Sequence, residues 1–169
     1  ADDQPAAGLH AASMRGLDRR DPLGKRVGAA DVRVMGFARI EIVVEASGLN
    51  FRDVLNVLGM YPGDPGPPGL ECAGTVTAVG EDVHDLRPGD AVLGIAPESF
   101  NSFVVTASNL VARRPESLTP EQAATIPITY LTAILGLQRL ARLAPGERVL
   151  IHAAAGGVGQ AAVRLAQRL

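Results

Sequence analysis

The residues best suited to chemistry form a short glycine run near the end of the sequence, Ala153-Ala154-Ala155-Gly156-Gly157-Val158-Gly159. An apolar stretch, Arg148-Val149-Leu150-Ile151-His152, precedes it, and a helical pattern follows from Val158 to Leu169. A glycine turn between a buried strand and a helix is the setting in which a dinucleotide pyrophosphate is held. Against the pattern G-x-G-x-x-G, the matching positions are Ala154, Gly156 and Gly159, with Ala in place of the first Gly. Gly156 would let the backbone approach a pyrophosphate, and Gly159 would let the helix pack close to the strand. The helix start adds free N–H groups and the positive end of its dipole, together with Gly157 and Val158. The bland alternative is a tight strand-to-helix turn with no ligand. The residue that would read the ribose falls about twenty positions further on, beyond Leu169. The motif alone therefore leaves NAD and NADP both open.

Other constellations are excluded by count. Cys72 is the single cysteine, so no intramolecular disulfide and no multi-cysteine zinc site can form. His10, His84 and His152 form no cluster, and no Ser-His-Asp or Cys-His arrangement can be argued. On an apolar strand, His152 reads as a satisfied core residue. The 16 basic and 18 acidic residues give a net charge of −2, which offers nothing to attract nucleic acid or anionic lipid. The apolar runs fall short of the roughly 18 residues that cross a bilayer. The N-terminus carries no charged-then-apolar leader. The expectation is a cytoplasmic protein with no membrane or nucleic-acid partner.

These residues need elements to position them. Residues 1–37 are rich in Ala, Asp, Arg and Gly without either periodicity, and are expected to be a linker or poorly ordered tail. Arg39-Ile40-Glu41-Ile42-Val43-Val44-Glu45 alternates charged and apolar positions, which predicts a strand with one wet face. Phe51, Val54, Leu55 and Leu58 have helical spacing within Asn50 to Leu58. Strands are expected over Cys72–Val79, Ala91–Ile95, Phe100–Ala107 and Leu110–Val111, with a turn at Arg87-Pro88-Gly89-Asp90. This series predicts a small barrel or curled antiparallel sheet. From Leu118 the pattern changes. Thr119-Pro120-Glu121-Gln122 is a capped helix start, Pro127 stops that helix, and Thr129–Leu143 reads as a longer, mostly buried helix. The fold class is α/β with a β-rich domain, ending in one strand-turn-helix. One such unit cannot bury both faces of a doubly wound sheet, so the chain is expected to be the N-terminal part of something larger.

The motifs together resemble one family. They are Gly48-Leu49-Asn50-Phe51-Arg52-Asp53-Val54-Leu55, Leu58-Gly59-Met60-Tyr61-Pro62-Gly63 and Gly69-Leu70-Glu71-Cys72-Ala73-Gly74, then Arg87-Pro88-Gly89-Asp90, Tyr130-Leu131-Thr132-Ala133 and Val149 to Ala161. Their order and spacing from Ala38 to Leu169 are similar to the enoyl reductase domains of modular polyketide synthases. These sit in the zinc-free, quinone oxidoreductase-like branch of the medium-chain dehydrogenase/reductase superfamily. The resemblance implies a GroES-like β-barrel domain over 38–117. It further implies connecting helices and the start of a Rossmann cofactor domain over 118–169, with NADPH between the two. The implied reaction delivers hydride to the β-carbon of an α,β-unsaturated acyl thioester on an acyl carrier protein, among neighbouring synthase domains. A stand-alone quinone or enal reductase, and a cofactor-binding module without chemistry, are the alternatives.

Residue by residue, the resemblance places Asn50 and Thr132 near the nicotinamide and gives Leu55 and Tyr61 to the acyl pocket. The competing roles are turn ordering for Asn50, back-bonding to its own helix for Thr132, and core packing for Leu55. Arg52 and Asp53 read as an ion pair or as solvated, Glu71 as an internal hydrogen-bond acceptor, and Cys72 as buried and inert. Asn50 and Leu70 stand where zinc-dependent relatives carry Cys and His; Asn is a poor zinc ligand and Leu none, so no metal is expected. An enolate oxygen would be stabilised by hydrogen-bond donors instead. The family's candidate proton donors, a Lys and an Asp, fall after the glycine turn, so the catalytic groups are expected beyond Leu169. This chain alone is expected to be inactive.

Overall fold

The computed structural model describes residues 11–13 and 38–169. The tail expected over 1–37 otherwise lies outside the described residues. Ala11–Ser13 depart from that expectation and form a strand, β1. It runs antiparallel to the end of β2 (Arg39–Gly48).

Residues 39–48 are rich in β-branched side chains and form the longest strand, β2. One edge of β2 pairs with β3 (Glu71–Val79), and β3 pairs in turn with β4 (Ala91–Ile95). The other edge of β2 is shared by β1 and β5 (Phe103–Ala107). Beyond β4 lies β6 (Val111–Arg113), so all the pairings are antiparallel. A 3-10 turn of only three residues, Ser108–Leu110, joins β5 to β6. Those strands belong to opposite edges of the sheet. So short a link requires the edges to lie close together, and the sheet therefore curls toward a barrel. Register shifts in β2 between Glu41 and Ile42, and between Val44 and Ala46, supply local bends.

Two faces of the curled sheet are covered. Ile40, Ile42, Val44, Val76, Val92 and Val104 pack inside with Cys72. Burying each Ile or Val contributes about 1.5–3 kcal/mol relative to exposure. On the other face, Ala46 and Ala73 meet Ala123 and Ala124 of the short helix α2 (Pro120–Ala123) and its end. The expected wet face of β2 is partly roofed. Glu41 is buried and accepts from the Thr77 hydroxyl at 2.6 Å, and Glu45 accepts from the Thr75 hydroxyl at 2.6 Å.

Helix α1 (Phe51–Val57) follows β2. Its apolar residues do not form a core face: Phe51 is 75% exposed, and Val54, Val57 and Leu58 are exposed too. The strand expected from Phe100 begins at Phe103, after a turn through Glu98 with φ 64°. The strand expected at Leu110–Val111 covers Val111–Arg113, because Leu110 closes the 3-10 turn.

The capping box at α2 is present. Gln122 N–H donates to the Thr119 hydroxyl, and Thr119 N–H donates to the Gln122 side chain at 2.9 Å. Pro127 opens rather than ends a helix, α3 (Pro127–Ile134), because proline fits the first turn, where its missing N–H has no helical partner. A π-helical stretch, Leu135–Leu140, continues it. The expected burial fails here, since Leu131, Leu135 and Leu140 are exposed. Helix α4 (Gly157–Ala166) packs on α3 through Ala133, Ala161 and Ala162, with Tyr130, Ile151 and Leu165 at the margin. The strand expected over 148–152 is not formed. A strand exists by ladder pairing, and among the described residues none lies beside this one. Leu150 is 81% exposed, and His152 is exposed rather than a core residue.

Candidate functional site

The turn at 153–159 is built around one close approach. A Cβ on Gly159 would lie 2.3 Å from the Ala153 carbonyl oxygen and 2.6 Å from the Ala154 Cα. Only glycine lets α4 sit this close to the preceding chain, as the spacing predicts. Ala153 has φ 50°, a left-handed conformation costly for a residue with a side chain. Gly156 is the N-cap of α4, and its N–H donates to the Ala153 carbonyl at 2.9 Å. A Cβ on Gly156 would meet only the Ala153 oxygen, at 3.3 Å. That glycine is not demanded by packing, which leaves its open side available to an approaching group. The first intrahelical donor is Gln160, to Gly156. The N–H groups of Gly157, Val158 and Gly159 precede it and are the orphan donors of the helix start. An anion fits these donors and the positive helix end.

The second group of residues starts at Asn50. Its backbone N–H donates to Asp53 Oδ2 at 2.9 Å, closing the first turn of α1. Asp53 Oδ1 accepts from the Gly69 N–H at 2.9 Å, and the side chain is 1% exposed. Asp53 is thus neither solvated nor paired with Arg52. It is held by two backbone donors. Arg52 donates to the Pro65 carbonyl and lies over the Tyr61 ring, 5.4 Å from its centroid. Tyr61 is half-buried under this guanidinium, as a cation–π pair allows. Leu55 is half-buried, not a core residue, and its carbonyl accepts from Met60 N–H at 2.8 Å. Asn50, Leu55 and Tyr61 therefore belong to one helix-and-loop segment.

Glu71 links that segment to the helices. Its side chain lies on β3 and is 2% exposed. Oε1 accepts from Asn50 Nδ2 at 2.9 Å, and Oε2 accepts from the Ile128 N–H at 2.8 Å. Ile128 is in the first turn of α3, so the carboxyl satisfies an orphan helix donor and faces the positive helix end. Burial pushes the Glu71 pKa above its ordinary value, and the bonds from Ile128 and Asn50 oppose that shift. Gly48 makes room for it: a Cβ there would fall 2.4 Å from Glu71 Oε1 and 2.5 Å from the Ala124 carbonyl oxygen. Cys72, next along β3, is 1% exposed, and burial pushes its thiol to about 12.

Thr132 lies one helical turn beyond Ile128 on α3 and is exposed. The back-bonding foreseen for it belongs to Thr129, whose hydroxyl donates to the carbonyls of Thr125 and Ile126 at 2.8 and 3.0 Å. The structure thus brings Asn50, Glu71 and the start of α3 together, and carries Thr132 and the glycine turn on the packed pair α3 and α4. Glu71 in this bridging role was the residue that sequence reasoning undervalued. The available signal was an acidic residue opening an otherwise apolar, small-residue strand. Leu70, at the other position compared with zinc ligands, is half-buried.

A curled antiparallel β-domain passing into a helix pair with a glycine turn is the GroES-like plus Rossmann plan of medium-chain dehydrogenases/reductases. Residues 37–112 match the alcohol dehydrogenase GroES-like domain. The chain is 50% identical over 133 residues to the pikromycin polyketide synthase component PikAII of Streptomyces venezuelae, covering 79% of this chain and 4% of that protein. It is similar to the CurK enoyl reductase with TM-score 0.73 and 47% identity, over 78% of this chain and 43% of that one. It is also similar to mycobacterial Rv1454c, solved in complex with NADPH, with TM-score 0.68 and 33% identity over 79% of this chain and 43% of that one. Quinone oxidoreductases are among the structural neighbours as well. Residues 37–112 thus carry a GroES-like domain of the alcohol dehydrogenase type, and the proteins to which the chain is similar include polyketide synthases, polyketide enoyl reductases and quinone oxidoreductases. It spans less than half of the solved relatives and a few per cent of the synthase.

Among the described residues, no helix is long and apolar enough to cross a membrane. Also among them, no group of three or more His, Cys, Asp or Glu could hold a metal ion.

Proposed function

We propose that this chain is part of an NADPH-dependent enoyl reductase of a modular polyketide synthase, acting on an enoyl thioester carried by an acyl carrier protein. In this reading residues 38–117 are the substrate-side domain, and 118–169 are the connecting helices and the opening of the cofactor domain. The observation that carries it is the fit of the glycine turn. Gly159 is closed to any side chain, whereas the open side of Gly156 and three orphan N–H groups suit a pyrophosphate. The similarity to a solved enoyl reductase supports the same reading.

Bound NADPH would supply hydride to the β-carbon of the enoyl thioester. The work of this chain is to bind and orient. Gly156, Gly157, Val158 and Gly159 hold the phosphates. Asn50 and Thr132 would contact the nicotinamide end of the cofactor, and Leu55 and Tyr61 would border the acyl chain. The thioester oxygen gains negative charge as the double bond is reduced, and hydrogen-bond donors rather than a metal stabilise it. A proton is added at the α-carbon.

The test is NADPH consumption by the longer protein containing this chain, followed at the nicotinamide absorbance band, with crotonyl pantetheine thioester and with an ortho-quinone. Turnover of the thioester supports the proposal. Turnover of the quinone alone would favour the stand-alone quinone reductase reading, to which the quinone oxidoreductase neighbours lend weight.

A further inference from the structure

Asn50 and α3 are far apart in the sequence, and one buried side chain holds both. We infer that Glu71 is a positioning residue: one carboxyl oxygen fixes the orientation of the Asn50 amide, and the other fixes the start of the helix that carries the glycine-turn unit. Three observations support this. Both oxygens accept, one from Asn50 Nδ2 at 2.9 Å and one from Ile128 N–H at 2.8 Å. The Glu71 side chain is itself 2% exposed, so the accepting end of both bonds is shielded from water. The backbone also makes room for this carboxyl, since a Cβ on Gly48 would fall 2.4 Å from Oε1.

The chemical consequence follows from the amide's two ends. With Nδ2 donating to Glu71, the amide cannot turn over without setting its oxygen against the Glu71 oxygen. Its own oxygen is therefore directed away from Glu71. On the other side, Ile128 is tied to Glu71 while Ala133, five residues on, packs against Ala161 and Ala162 of α4. The orientation of Asn50 and the placement of the glycine turn thus share one anchor. The activity arm of this inference rests on the reductase reading. The structural arm does not.

The experiment is a double-mutant cycle in the longer protein, with hydrogen exchange as a second readout. In Glu71→Gln the amide oxygen can still accept from Ile128, but its NH2 group meets the Asn50 NH2 group, and the Asn50 amide must turn over. The expected result is a loss of about tenfold or more in kcat. The NADPH Kd, set at the glycine turn, should shift by less than about threefold. Adding Asn50→Asp returns an acceptor to face the new donor and again directs an oxygen away from position 71. The pair should recover most of the lost kcat. Purely multiplicative losses in the pair, or a fall in kcat matched by an equal fall in folded fraction, would overturn the inference.

Exchange at the Ile128 amide should stay slow in Glu71→Gln and become fast in Glu71→Ala. Unchanged protection in Glu71→Ala would also overturn it. Should the wild-type protein reduce only quinone, the reductase reading fails and the same cycle is read with quinone. Should it turn over neither, exchange at Ile128 alone decides.

Discussion

Replacing the two key glycines separately distinguishes a phosphate cradle from a mere turn. At Gly159 a Cβ would sit 2.3 Å from a backbone oxygen and 2.6 Å from a backbone carbon. Restoring ordinary contact requires α4 to move by about 1 Å, and overpacking of this kind costs about 1–3 kcal/mol. Gly159→Ala should therefore lower stability and, by shifting the helix start, weaken NADPH binding. At Gly156 the only close atom is 3.3 Å away, and φ is −76°, which alanine adopts freely. The poorer N-cap and the smaller unfolded-state entropy of alanine are each worth about 0.5–1 kcal/mol and oppose one another. Gly156→Ala should leave stability within about 1 kcal/mol of wild type. Its methyl group would nevertheless occupy the open side where a pyrophosphate must approach, and should weaken NADPH at least about tenfold. The assay pairs urea unfolding with NADPH titration by fluorescence in the longer protein. Wild-type NADPH affinity in Gly156→Ala would refute the reasoning and leave the turn a purely structural device.

Three further outcomes are expected. Asp53→Ala strips the acceptor from two backbone N–H groups, of Asn50 and Gly69, and should destabilise by about 3 kcal/mol in urea unfolding. A loss under about 0.5 kcal/mol would mean those donors find water. Glu71 has a raised pKa, so the folded state binds its proton more tightly than the unfolded chain. Its favourable contribution is complete below the ordinary value of 4.5 and is lost as pH rises through the folded value, so Glu71→Gln should flatten that decline. Stability of the wild type rising with pH relative to Glu71→Gln across this window would contradict the assignment. Cys72, buried and with its thiol at about 12, should resist a disulfide reagent at pH 8 in the native state and react only on unfolding. Fast labelling under native conditions would place it elsewhere.

Much of this architecture was legible in local pattern. Ala91–Ile95 and the start of β3 follow from short apolar runs between turns, and the box at Thr119 and Gln122 announced α2. Gly159 was legible because its requirement is steric and local. What failed depends on partners distant in sequence. Residues 148–152 have strand composition but no neighbouring strand among the described residues, and composition cannot supply a ladder. The apolar spacing of Thr129–Leu143 predicted a mostly buried helix, yet Leu131 and Leu140 are exposed, because periodicity reports a face and not what covers it. Pro127 was read as a stop, since a proline marks both ends of the rule: it closes one helix and is welcome at the start of the next. Glu71 was legible as a hydrogen-bonded acid, but its two donors lie 21 and 57 residues away, and only folding brings them together.

The most direct test of the central claim is to follow the transferred hydrogen. NADPH carrying deuterium at the reactive C4 position would be incubated with the longer protein and an enoyl thioester, and the product read by mass spectrometry. The account predicts a saturated thioester with one deuterium on the β-carbon and solvent hydrogen on the α-carbon. A saturated product with no deuterium from NADPH, or NADPH bound without any reduction of the thioester, would contradict it.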